Sequence, residues 1–452
     1  MSVHSTDRIE NTGKTKLERL SERAESRKET VFNNLGHLID RELLKQMYYR
    51  IDGNKAIGMD GINKEMYGRQ LEENIDNLIK SIRRGTYRPK PARLVEIPKE
   101  DGSTRPLAIS CFADKLVQMA VSEILTRIYE PLFLPCSFGY RPGRSCHDAL
   151  SALMEQAYPC WNGAIVEIDI QKYFNSIPHA ELKEILKKKI SDERFLRLID
   201  KLATTPICNK GEVAANTIGC PQGSIISPIL ANIYLHEVID CWFEEIKGKH
   251  LRGSAHEVRY ADDMIFVFEK VDDARKFFKV LPKRLKKYGL VMHQEKSRLI
   301  RSGQNVAARE HKIGNRLPTY KFLGFTVYWG KARNGQWWRM KVTSRRDHFT
   351  AKLKGLKEYL RTQVNTSDTM NVLKTVVRVI VGWVNYNAVS DNERRVNQFL
   401  RISRRIILRW INRRGRKKPM TWEKLMRLLK AINFPDQWET KSLFANARGN
   451  GV

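Results

Sequence analysis

At 452 residues the chain exceeds one compact domain and suits two or three packed units. Hydrophobic residues at 42% and aromatics at 9% suffice for a core, which excludes global disorder despite 29% charged residues. The 81 Lys and Arg against 50 Asp and Glu leave +31, a charge that repels itself in a compact body unless a polyanion neutralises it. Nucleic acid is the expected polyanion.

The opening residues, MSVHSTDRIENTGK, lack the short apolar core of a secretory signal, so a cytoplasmic chain is expected. Residues 1–30 carry seven basic and six acidic residues and no Phe, Trp or Tyr, the pattern of a charged N-terminal extension, solvated helix or disordered, with no core. From Leu35 to Ile82 the apolar spacing is helical, interrupted by a loop from Gly53 to Gly61. Leu94–Pro98 and Arg105–Ile109 flank the turn-rich spacer Lys99-Glu100-Asp101-Gly102-Ser103 and predict a β-hairpin. Short β-rich runs follow at Ala164–Ile170 and, in two parts, from Glu257 to Phe268, with helical patterns between. That order predicts an α+β core with antiparallel pairing rather than a doubly wound parallel sheet.

After Lys341 the composition turns helical, and from Arg394 to Lys418 eleven Lys or Arg occur with no acid. Phe399, Ile402, Ile406, Ile407, Trp410 and Ile411 recur at helical spacing. One face can therefore pack while Arg401, Arg404, Arg405 and Arg409 meet a phosphate backbone; a solvated surface helix is the plainer reading. Gly415 is expected to end this helix. No run of about 18 apolar residues is present, which excludes a spanning helix. The seven cysteines, Cys111, Cys136, Cys146, Cys160, Cys208, Cys220 and Cys241, form no C-x-x-C pair, so neither a disulfide framework nor a zinc ribbon is indicated.

The sharpest local signal is Tyr260-Ala261-Asp262-Asp263 between Val258 and the run Met264–Phe268. It puts two adjacent carboxylates at a tight turn between apolar strands, where burial requires cations; a solvated turn is the alternative. Asp169, at the end of another β-rich run, joins the pair if the strands are neighbours, and otherwise reads as a strand-end cap. Three carboxylates suit Mg²⁺, and two such ions about 3.5–4 Å apart would stabilise both the attacking and leaving oxygens of nucleotidyl transfer.

An ordered series extends this signal. It runs through Arg88–Arg93, Ile97-Pro98-Lys99 with Arg105-Pro106-Leu107, Ser137–Pro142, Asp169 with Phe174, Pro221-Gln222-Gly223 and Ser227–Asn232. It continues through Tyr260–Asp263, Glu295-Lys296-Ser297, Phe322–Phe325 and Gly382–Tyr386. In this order the motifs resemble a reverse transcriptase and maturase of the bacterial group II intron type, from about Gly36 to Lys418.

The resemblance implies a right-hand polymerase. Its fingers and ferredoxin-like palm would span 31–343, an all-α thumb 344–418 and a short tail 419–452, after the extension 1–30. Asp169, Asp262 and Asp263 would hold two Mg²⁺, with Ile170 beside them at the metal and nucleotide site. Phe174 would pack under the sugar and exclude a 2′-hydroxyl, though an aromatic after a strand is commonly core. Lys99 and Arg105 would clamp the triphosphate, and Gln222 would orient the sugar. Lys296 would protonate the leaving pyrophosphate or be a surface lysine. Arg141 and Arg144 would contact template phosphate or a fingers carboxylate, and Phe322–Phe325 with Trp337-Trp338 would grip the primer or belong to the core.

The implied partners are an RNA template and intron RNA, a DNA primer or RNA–DNA heteroduplex, and deoxynucleotides, with no membrane. The last cysteine is Cys241, so a Cys/His endonuclease is not expected. The N-A-x-x-H and V-T-G features of retron enzymes are missing, and Gln222–Pro228 departs from the diversity-generating pattern. Two alternatives stay open: an RNA-binding splicing cofactor with polymerase activity secondary, and a group II-like enzyme recruited to defence, repair or a CRISPR locus.

Overall fold

A computed structural model of the chain describes residues 15–98, 104–332, 335, 337–363, 365, 368–413 and 419–444. Strands β1 (Ala92–Pro98) and β2 (Thr104–Ile109) form the expected antiparallel hairpin, whose connecting turn lies outside the described residues. β1 also pairs in parallel with β4 (Ile207–Asn209), which pairs with β5 (Glu212–Ala214). β3 (Gly163–Ile168) is central to a second sheet with β6 (Ala255–Tyr260), β7 (Asp263–Phe268) and β8 (Arg298–Ser302), in the order β6-β7-β3-β8 and antiparallel throughout. A third sheet, β9 (Thr319–Phe322), β10 (Phe325–Lys331) and β11 (Trp338–Ser344), is a meander.

Residues of β3 are buried on both faces because alternate side chains enter different cores. Ala164, Val166 and Ile168 join the largest core, with the helices Arg41–Arg50, Phe112–Tyr129 and Val271–Lys287. Ile165 turns the other way, onto the helix Cys146–Ala157 and the rings of Tyr320, Phe322, Phe325 and Trp329 from the third sheet. A third core lies within the helices Arg346–Gln363, Thr369–Asn387 and Glu393–Asn412, where the Trp383 and Phe399 rings stack with centroids 3.8 Å apart. Among the described residues no helix is long and apolar enough to cross a membrane.

Three expectations are corrected. Within 1–30, Lys16–Ser26 is a helix with a Thr15/Glu18 capping box, and its Leu20 and Ala24, four apart on one face, are buried in the main core. The segment after 419 is not a tail: the helix Trp422–Ala431 sinks Leu425 and Leu429 into the third core, and Leu443 packs into the second. The arginine-rich helix ends at Asn412 with Arg413 as its cap, while Gly415 lies outside the described residues. All seven cysteines are free, four of them buried.

Leu425 is fully buried, so Leu425→Ala should lower stability by about 2–5 kcal/mol in urea unfolding, the range for a truncated core leucine. An unchanged midpoint would mean that this helix does not belong to the core.

Candidate active site and nucleic-acid surface

The turn between β6 and β7 carries the acidic pair, and the register Tyr260↔Asp263 closes it in two residues. Ala261 occupies the left-handed region at φ +57°, which costs a non-glycine residue about 1–2 kcal/mol. A buried guanidinium holds that conformation. Arg259 Nη1 donates to the Ala261 carbonyl at 3.2 Å and to Asn232 Oδ1 at 3.0 Å. Nη2 reaches Ser137 Oγ at 2.8 Å and Asp240 Oδ2 at 2.6 Å, while Nε reaches Asp240 Oδ1 at 2.7 Å. All five donors of the fork are thereby used.

Burial alone would push the Asp240 carboxyl up, but Arg259 and His236 outweigh it and hold the group below its ordinary value. Glu257, equally deep, goes the other way: burial and then the Asp240 charge keep its carboxyl well above the usual range. Cys136, Asp240 and Glu257 offer ligand atoms within 4.8 Å of one another, yet Arg259 already occupies the cationic place in that cluster. Gly139 lies against the same turn, where a Cβ would meet the Ala261 nitrogen at 2.3 Å, and its carbonyl accepts from Asn232 Nδ2 at 2.6 Å.

The ladder β6-β7-β3 brings Asp169, one residue past the end of β3, to the acidic turn. The Asp169 amide donates to Ser297 Oγ at 3.1 Å and its carbonyl accepts from the His293 amide at 2.8 Å. Asp262 is raised above its ordinary value by burial and by the Asp169 charge, against which Arg105 and Arg259 act. Asp263 is pushed up to about 6, by crowding from the surrounding protein and then by Asp262 and Asp169. Three hard oxygen donors that repel one another fit a divalent cation.

Two open cavities meet at Asp263, each of about 510 Å³. The first is lined by Arg105, Phe174, Gln222, Asp262, Asp263 and Leu323. The second holds Asp169, Asp263, Lys296, Lys321 and Arg345. Expected triphosphate, sugar and carboxylate positions are thus gathered in one place, though Lys99 lies outside the described residues. Gly223 carries φ +100°, and the Gln222 carbonyl accepts from the Ala108 amide of β2 at 2.6 Å, which ties the hairpin to the cavity. Phe174 is only half-buried and meets Tyr140 edge-on, with ring centroids 6.4 Å apart. Lys296 stands exposed, its Nζ 3.8 Å from Asp169 Oδ2. Phe322 and Phe325 are core, while Leu323 in the turn between them faces the site; Trp337 is exposed and Trp338 half-buried.

Other expected site residues stand elsewhere. Ile170 sends its side chain into the main core, so only its main chain is left for a ligand. Arg141 is buried, pairs with Glu130 at 2.8 Å and donates to the Leu134 and Ser137 carbonyls, so its guanidinium is taken up within the protein. Arg144 is half-buried over the Phe138 ring and donates to the Pro135 carbonyl at 2.9 Å. Arg404 is held by Asp436 and lies over the Phe434 ring at 4.8 Å, because the segment after 419 folds back onto it. Arg401, Arg405 and Arg409 stay exposed on the opposite side of the helix from Phe399, Ile407 and Trp410. Arg259 and Asp240 were not found by sequence reasoning, and Ser297 was named only within its motif, without a role; the one available signal for Arg259 was its place directly before the acidic tetrapeptide.

Comparison with known proteins gives the family. The chain belongs to the reverse transcriptase (RNA-dependent DNA polymerase) family, whose model matches residues 97–327, just over half of it. Enzymes of this family depend on divalent metal. The group II intron-encoded protein LtrA of Lactococcus lactis subsp. cremoris is 37% identical over 246 residues, 54% of this chain and 40% of the relative. An uncharacterized 91 kDa protein in the cob intron of Schizosaccharomyces pombe is 37% identical over 52% of this chain and 29% of its own. Protein YkfC of Escherichia coli K12 is 35% identical over 46% and 54% respectively. The matched region therefore spans 29–54% of the length of these three relatives.

Removing Arg259 strands the fully buried Asp240 charge. Arg259→Ala should cost about 3–5 kcal/mol in denaturant unfolding, and the double variant Arg259→Met with Asp240→Leu should recover most of it. Equal losses in the two proteins would contradict the pair as the source of that stability.

Proposed function

We propose that the chain is an RNA-directed DNA polymerase of the group II intron type that extends a primer 3′-hydroxyl with deoxynucleotides on an RNA template. The observation that carries this reading is the meeting of Asp169, Asp262 and Asp263 beside a cavity that also holds Arg105, Phe174 and Gln222. In this reading the sheet β6-β7-β3-β8, with its β-α-β-β-α-β path, is a ferredoxin-like palm. The hairpin β1–β2 belongs to the fingers, and the helices from Arg346 onward form the thumb.

The three carboxylates would hold two Mg²⁺, which when bound lower the barrier to in-line attack on the α-phosphate and to departure of pyrophosphate. The remaining work falls to the chain's own groups. Arg105, on the exposed hairpin, binds the triphosphate with a forked guanidinium. The Phe174 ring fills the space that a 2′-hydroxyl would need, and Gln222 orients the sugar. Lys296 beside Asp169 gives a proton to the leaving pyrophosphate. Exposed Arg401, Arg405 and Arg409 grip the heteroduplex backbone without reading sequence. Binding of intron RNA to assist splicing and mobility belongs to the same proposal, supported by the +31 charge and by the intron-encoded relatives.

Primer extension on an RNA template with Mg²⁺ tests the reading. Wild type should make cDNA, while Asp262→Asn and Asp263→Asn should lose at least about a thousandfold in rate with their fold intact. Tight binding of structured RNA without any synthesis would favour the splicing-cofactor reading instead. In the same assay Phe174→Ala should admit ribonucleotides; unchanged sugar discrimination would remove Phe174 from that role.

A further inference from the structure

The helix Thr369–Asn387 ends against the turn between β9 and β10. There the Tyr386 hydroxyl donates to the Leu323 carbonyl at 2.8 Å, and its ring stacks on Phe325 with centroids 5.5 Å apart. Its own carbonyl is met by His147 Nε2 at 2.8 Å. Leu323 is left-handed at φ +46° without the freedom of glycine, and it lines the cavity that holds Asp262, Asp263, Phe174 and Gln222. A bond to its carbonyl therefore fixes a strained residue at the cavity wall.

Tyr386 thus ties the helical unit to one wall of that cavity. Tyr386 is not needed to attach that unit, because the joint is fastened beside it. Ser344 Oγ donates to Asn387 Oδ1 at 2.7 Å, Asn392 Oδ1 accepts from the Ser344 amide at 2.9 Å, and Asn392 Nδ2 donates to the Asn387 carbonyl at 2.8 Å.

We propose that Tyr386 is a positioning residue whose hydroxyl sets the Leu323–Gly324 turn, so that the helical unit fixes the shape of one wall of the reaction cavity. The proposal rests on the polymerase reading of that cavity.

Single-turnover primer extension at saturating deoxynucleotide tests it. Tyr386→Phe keeps the ring and should slow nucleotide addition about five- to tenfold, the scale of one lost neutral hydrogen bond. Affinity for primer–template and the unfolding temperature should match wild type. A wild-type rate in Tyr386→Phe, or a loss that only tracks stability, would overturn the proposal. Amide exchange of residues 320–326 judges it without catalysis: faster exchange in Tyr386→Phe supports it and unchanged exchange overturns it. Failure of the wild type to extend primers would instead strike the polymerase reading.

Discussion

The site depends on one buried guanidinium. Arg259 and Asp240 have no exposed side-chain surface, so taking both charges out of water has to be offset by complete pairing. That pairing uses every donor of the arginine and joins positions 137, 232, 240 and 261, which are far apart in the chain. Motifs that look unrelated along the sequence are therefore partners of a single side chain. Ser137 precedes the Phe138-Gly139 approach to the turn, Asn232 closes the Ser227 helix motif, and the Ala261 carbonyl belongs to the acidic tetrapeptide itself.

Above that clamp the design reverses. Beneath the turn, charge is neutralised inside the protein; at its tip, Asp262, Asp263 and Asp169 face one another, and two of them are raised, first by desolvation and then by that mutual repulsion. A stable fold gains nothing from such a cluster unless a cation resides there. The rigid pair below and the three carboxylates above suit a site preorganised for a divalent cation. Cations flank the trio: Lys296 stands 3.8 Å from Asp169 Oδ2, Arg105 on the hairpin acts on Asp262, and Arg345 at the start of the helical unit acts on Asp263.

The local and periodic features were legible in the sequence. The hairpin, the β-rich runs around Asp169 and the acidic pair, and the helical third region all follow from side-chain periodicity and turn chemistry. What stayed hidden depends on pairings across long separations. Arg404 looked like a free cation because Asp436 lies 32 residues away, and the carboxylate partner open to Arg141 could not be named because Glu130 lies 11 residues back, at no periodic spacing. The segment from 419 looked like a tail because its two core leucines gain meaning only against helices that precede it. Residues 1–30 misled for the same reason, since Leu20 and Ala24 are few among many charges yet share one face. Arg259 is the opposite case, a residue whose burial contradicts its type and which only the three-dimensional partners explain.

The central claim is that the Arg259–Asp240 pair organises the acidic turn into a divalent-cation site. Mn²⁺ titration followed by electron paramagnetic resonance, on wild type and on Arg259→Lys, tests it most directly. Lysine keeps the charge but cannot reproduce the fork, so the account predicts a folded protein with Mn²⁺ affinity weakened about tenfold or more. A folded Arg259→Lys variant that binds Mn²⁺ as tightly as wild type would contradict it.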